Sequence, residues 1–139
     1  LTCLNEFILP VRVYYEDTDA GGVVYHANYL RFMERARTEW LRTLGFEQDK
    51  LAQELNIVFV VAGLEIAYRK PAQFNDALLV SASIDTIGRA SIAFKQEIWR
   101  EGSNNSRELL TTASVKVVCV STGNFRSTSI PTAIRELLQ

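Results

Sequence analysis

Asp17, Asp19, the glycine pair Gly21 and Gly22, and the chain's single histidine, His26, fall within one short stretch, YYEDTDAGGVVYHAN. Acid, bare backbone and imidazole together suit three kinds of chemistry. The first is metal binding, because closely spaced carboxylates favour hard cations and Asp-x-Asp before Gly faintly resembles an EF-hand loop. It fails on count: numbered from Asp17, position five is Gly21 and position twelve is Asn28, where such a loop needs a bidentate Glu. One His and the two widely separated cysteines, Cys3 and Cys119, do not make an ordinary zinc site either. The second reading is structural, with aspartates that bond local turns and glycines that let the chain bend. It suits Asp17, but Asp19 lies too far before the helix that follows to cap it.

The third reading is hydrolysis of an activated acyl group. Asp19 would act on the carbonyl or on its attacking water, while backbone N–H groups near the helix start hold the oxyanion. A thioester suits such sparse equipment, since a leaving thiol with a pKa of about 8.5, like that of cysteine, departs as thiolate without a dedicated acid. An amide would need a strong proton donor, and no Ser or Cys nucleophile lies beside Asp19 and His26. His26 is open to roles as acid, base, orienting group or simple hydrogen-bonding residue. Glu34 stands three residues from both Arg31 and Arg37, so a surface ion pair is its first reading and catalysis its second. Neither metal nor cofactor is expected.

These residues need a scaffold. From Ala27 onward, Tyr29, Met33, Ala36, Trp40 and Leu44 recur at helical spacing with Leu30 and Phe32 at the margins, which predicts one long, largely covered helix. Asn28 is its expected N-cap and Gly45 its stop. Alternation over Phe7 to Tyr15 predicts a first strand, with Pro10 placing it near an edge or bulge. Glu47 to Asn56 reads as a short second helix. Strands are expected over Ile57 to Arg69 with a bulge at Gly63, Leu78 to Thr86, Ser91 to Arg100 and Leu109 to Ser121. Glu101 to Arg107 is a loop, and Pro131 precedes a terminal helix from Thr132 to Leu138. One strand, one long helix and four further strands make an α+β arrangement, with a mostly antiparallel sheet around the helix.

The 139 residues are expected to form a single domain across 1–139, with an ordinary apolar fraction of 47%. A net charge of -1 supplies no basic field for nucleic acid. No apolar run approaches the roughly 20 residues of a membrane span. Without a secretory signal pattern, and with Cys119 in an alternating apolar run that suits a buried free thiol, a cytoplasmic location is expected.

The stretch VYYEDTDAGGVVYHANYLRFMERARTEWL closely resembles the hotdog-fold acyl-CoA thioesterases of the 4-hydroxybenzoyl-CoA thioesterase family, and within it the YbgC type associated with the Tol-Pal system. FVV, YRKPA and VVCV are similar to that group too. The resemblance implies an antiparallel sheet wrapped around one long central helix, and a homodimer joined edge to edge, often paired into a homotetramer, with sites at the dimer interface. It places the catalytic carboxylate at Asp19, with His26 beside it, and the oxyanion donors at the backbone of Tyr25, His26 and Ala27. Gly22 and the turn carrying Arg89 and Ser91 fall where relatives hold coenzyme A. Arg89 also suits that role on charge, since a slightly acidic protein must attract phosphates with a few local cations. The thiol could belong to coenzyme A or to an acyl carrier protein. Two alternatives stay open: a dehydratase on the same fold using His26 and Glu34, and a non-catalytic acyl-CoA scaffold that would not need Asp19.

Overall fold

The computed structural model describes residues 6–138, so Cys3 lies outside the described residues. Five strands form one antiparallel sheet in the order β1-β3-β4-β5-β2. They are β1 (Phe7–Arg12), β2 (Ile57–Tyr68), β3 (Ala77–Ile87), β4 (Ser91–Glu101) and β5 (Arg107–Ser121). Pro10 sits on β1, an edge strand, where its missing N–H leaves no gap in the ladder. The register slips between Val61 and Gly63 where β2 pairs β5, so the extra residue of the expected bulge is Ala62.

The long helix α1 (His26–Thr43) contains no Gly or Pro and is rich in Ala, Leu, Met, Arg and Glu, all good helix formers. Its buried face is Asn28, Tyr29, Phe32, Met33, Ala36, Trp40 and Leu41. This face packs into one core with Val80, Phe94, Ile98, Val115 and Val117 of the sheet. Trp40 meets Phe94 edge-on, with ring centroids 5.6 Å apart. Phe32 is wholly buried rather than marginal, and truncating such a ring to Ala costs about 3–5 kcal/mol. The helix stops as expected at Gly45, whose φ of +96° only glycine adopts cheaply. Its N–H bonds the Arg42 carbonyl, and that of Phe46 bonds Leu41, closing a Schellman motif.

Strand ends beyond β1 shift by only one or two residues, and two other boundaries move further. The helix starts at His26 with Tyr25 as N-cap, so Asn28 is its third residue and not its cap. The first strand ends at Arg12 because Tyr15–Asp17 winds into a 3₁₀ turn. A short α2 (Gln48–Lys50) continues as a π-type turn, Leu51–Leu55, and α3 (Thr132–Leu138) closes the chain. Among the described residues no helix is long and apolar enough to cross a membrane.

Candidate active site

The stretch between β1 and α1 is held from within by Asp17. This carboxylate is buried, and its two oxygens accept the Tyr14 N–H at 2.8 Å and the Asn28 side-chain amide at 2.9 Å. Its backbone carbonyl takes the Tyr25 N–H at 2.9 Å. Asn28 therefore turns inward to clamp the loop, which is why it does not cap the helix.

Beyond Asp17 the chain makes a small hairpin. Thr18 bridges Val24, the Asp19 N–H bonds the Val23 carbonyl at 3.0 Å, and the Gly22 N–H returns to the Asp19 carbonyl at 3.0 Å. Gly22 has a φ of +81°, the left-handed geometry this turn requires. The Asp19 Oδ1 accepts the Gly21 N–H at 2.8 Å, and a Cβ at position 21 would lie 3.2 Å from that oxygen. Asp19 is exposed, and its Oδ2 has no hydrogen-bond partner among the described residues. The hairpin is anchored to the rest of the fold through Val23, which bridges Gln73, and Val24, whose N–H bonds the Ala72 carbonyl at 2.8 Å. Arg100 of β4 braces that anchor by bonding Asp76 at 2.7 Å and the Pro71 carbonyl at 3.2 Å.

At the helix start, two of the three backbone N–H groups expected as oxyanion donors are unpartnered among the described residues. Tyr25 is withdrawn, because its N–H is already bonded to Asp17. The amides of His26 and Ala27 open α1, where no preceding turn supplies carbonyls, and neither has a partner among the described residues. The His26 imidazole is exposed, packs against the Tyr25 ring at 4.4 Å and makes no hydrogen bond to Asp19. A contact that sequence reasoning missed lies behind them: the Tyr68 hydroxyl, at the end of β2, donates to the His26 carbonyl at 2.9 Å. Tyr68 meets Tyr29 edge-on, and the Tyr29 hydroxyl accepts the Ala72 N–H at 3.0 Å. The available signal was a tyrosine ending a strand just before Arg69, Lys70 and Pro71.

The other expected substrate residues are not here. Ser91 pairs with Val118 across the sheet, whereas Tyr68 pairs with Thr111, so the Arg89 turn lies about 24 Å farther along β5. In that turn the Arg89 guanidinium donates to the Ser129 hydroxyl at 2.6 Å, and Arg135 of α3 donates to the Gly88 and Arg89 carbonyls. Gly22 is thus beside Asp19, and Arg89 and Ser91 are at the opposite end of the sheet.

Between α1 and β2 runs a groove that widens into a cavity of about 440 Å³, lined by Glu34, Arg37, Leu41, Phe59, Val61 and Phe94 among others. The expected ion pair of Glu34 is not made: among the described residues no salt bridge reaches it. Arg37 instead turns inward and donates to the Gln96 side-chain oxygen at 2.8 Å, while the Gln96 amide donates to the Met33 carbonyl at 3.1 Å. Burial lowers the Arg37 pKa from its ordinary value, an effect that the nearby Glu34 charge opposes. Gln96 was legible as the one polar residue in the inward register of Ile92, Phe94 and Ile98. Glu34 and His26 are two turns apart on α1, about 12 Å, which separates the acid–base pair of the dehydratase alternative within one chain. Among the described residues no three His, Cys, Asp or Glu side chains gather as a metal site would require.

Residues 21–106 match the sequence model of the thioesterase superfamily, a span that carries the glycine turn, α1 and three strands of the sheet. The chain belongs to the thioesterase superfamily. It is 47% identical over 131 residues to the acyl-CoA thioesterase YbgC of Haemophilus influenzae, covering 94% of this chain and 93% of that one. Among solved structures, a probable thioesterase from Bartonella henselae superposes with a TM-score of 0.82 at 33% identity, covering 91% of this chain and 99% of that one. A 4-hydroxybenzoyl CoA thioesterase mutant complexed with 4-hydroxybenzoyl CoA superposes at 0.91 with 19% identity, covering 97% and 99%. The latter likeness is one of fold alone. The sheet around α1 is the hotdog arrangement of this superfamily, as the resemblance in the loop implied.

Proposed function

We propose that this thioesterase-superfamily chain hydrolyses acyl-CoA thioesters, with the reaction centred between Asp19 and the first amides of α1. The observation that carries the reading is the hairpin from Thr18 to Val24, which holds an exposed carboxylate by one oxygen and leads directly into two helix N–H groups that are unpartnered among the described residues. The Gly21 N–H holds Oδ1, and Oδ2 is left to take a proton from water. That water adds to the thioester carbon, and the carbonyl oxygen becomes an oxyanion held by the His26 and Ala27 amides. Collapse expels the thiolate of coenzyme A and leaves the free acid. Direct attack by Asp19, through an anhydride that water then opens, uses the same two donors.

The separation of Arg89 from Asp19 fits a site shared between two copies. β2 is an edge strand, and Val60, Val61, Leu64 and Tyr68 on it are exposed. Two copies paired antiparallel through β2 set the Tyr68 end of one beside the Ile57 end of the other. The second copy's Arg89 turn then approaches the first copy's Asp19, and a nucleotide could rest there while the acyl group enters the groove along α1.

The test is thiol release from short, long and aromatic acyl-CoAs. Asp19→Asn is expected to lose about a hundredfold or more of the activity while its melting temperature stays near that of the parent. Asp17→Asn is expected to lower the melting temperature instead, because it gives the Tyr14 N–H or the Asn28 amide a donor to face. Near-parental turnover in a folded Asp19→Asn protein would move the chemistry elsewhere, Glu34 first.

A further inference from the structure

We infer that Tyr68 is a positioning residue that fixes and polarises the peptide carrying one of the oxyanion donors. The carbonyl of His26 and the N–H of Ala27 belong to one planar trans peptide, so they point in opposite directions. The Tyr68 hydroxyl grips the carbonyl side at 2.9 Å. The amide side faces out from the first turn of α1, where nothing among the described residues accepts from it. Gripping one end of the unit sets the plane of the other. A hydrogen bond to the carbonyl also draws electron density from the nitrogen and makes the N–H a better donor, the cooperative strengthening of linked bonds, on the order of 10–30% each.

The grip is itself braced. The Tyr68 ring rests edge-on against Tyr29 at 5.2 Å, and Tyr29 is tied through its hydroxyl to Ala72, the residue whose carbonyl holds Val24 at the base of the catalytic hairpin. Partial burial first, and Tyr29 second, raise the phenol pKa above its ordinary value, so the hydroxyl stays protonated and remains a donor. Tyr68 is also the last residue of β2, one of the two edge strands of the sheet. Whatever fixes that edge fixes the peptide that faces the substrate.

The inference rests on the proposed role of the α1 amides, and the experiment separates the two. Tyr68→Phe keeps the ring against Tyr29 and removes only the hydroxyl. Removing an oxyanion donor costs about 10²–10³ in kcat. Here the donor is loosened and not removed, so kcat for acyl-CoA hydrolysis should fall about tenfold. KM should stay within about twofold, with melting temperature and solution mass unchanged. Affinity for a thioether analogue, which has no carbonyl oxygen to accept charge, should not change. An unchanged kcat beside an inactive Asp19→Asn overturns the role of Tyr68 alone. A matched change in KM, a lost assembly or weaker thioether binding also overturns it, because Tyr68 would then be shaping the pocket. Full activity in Asp19→Asn overturns both readings.

Discussion

The two aspartates of the loop differ in what holds them. Asp17 has both oxygens and its carbonyl committed to Tyr14, Asn28 and Tyr25, which makes it part of the frame. Asp19 has one oxygen committed to Gly21 and the other open. A carboxylate held by one oxygen is oriented yet able to receive a proton, and this is the physical content of the difference in expected phenotype. Arg89 is a third case, since its contact with Ser129 leaves guanidinium N–H groups over for a ligand. Contacts to the remote end of a substrate mainly bind, and when ground and transition states share them their loss raises KM more than it lowers kcat. Arg89→Ala is therefore expected to raise KM for acyl-CoA several-fold. The change should be smaller for a truncated acyl-pantetheine without the nucleotide. Steady-state kinetics with both substrates check this, and equal losses would mean that Arg89 serves the hairpin it shares with Ser129 and α3.

At the scale of elements, one buried hydroxyl departs from the chemistry around it. Thr111 of β5 is fully buried opposite Tyr68 and Ile98, and its Oγ1 has no hydrogen-bond partner among the described residues. An unsatisfied buried polar group costs about 1–3 kcal/mol, and an apolar isostere removes that cost. Thr111→Val should raise the stability by about 1 kcal/mol. Equilibrium denaturation measures it, and a less stable variant would show that the hydroxyl is bonded in solution. Thr111 also shows where reading a sequence stops. Alternation placed β3, β4 and β5 and the spacing of Tyr29, Met33, Ala36 and Trp40 placed α1, because these patterns are local and periodic. Asn at a helix start is usually a cap, whereas the partner that Asn28 takes instead, Asp17, becomes visible only when the loop is folded back. The same holds for Arg37 and Gln96, which meet across the core from distant positions, and for Tyr68, whose hydroxyl finds the backbone of a residue 42 positions earlier. Likewise, that the Tyr25 N–H is already bonded shows only once the folded loop brings the Asp17 carbonyl to it.

For the molecule as a whole, the sheet leaves one side unfinished. β1 is shortened and carries Pro10, a usual way of blunting an edge, but β2 is twelve residues long and apolar along much of its length. An uncovered edge of that kind is an aggregation hazard unless a specific partner takes it, and a two-fold pairing with an identical strand closes it without leaving another. Static light scattering is expected to give at least twice the mass of one chain at micromolar concentration, and an active monomer would contradict the shared site. The bulge at Ala62 gives such a pairing a signature in amide hydrogen exchange. On a strand bonded along one side, alternate N–H groups face outward and exchange quickly, so assembly should slow every second residue of β2. An extra residue shifts that parity, and the slowed positions on the Tyr68 side of Ala62 should fall out of step with those on the Ile57 side. One irregular residue would then act as a ruler, reporting from solution where along the strand two chains are aligned.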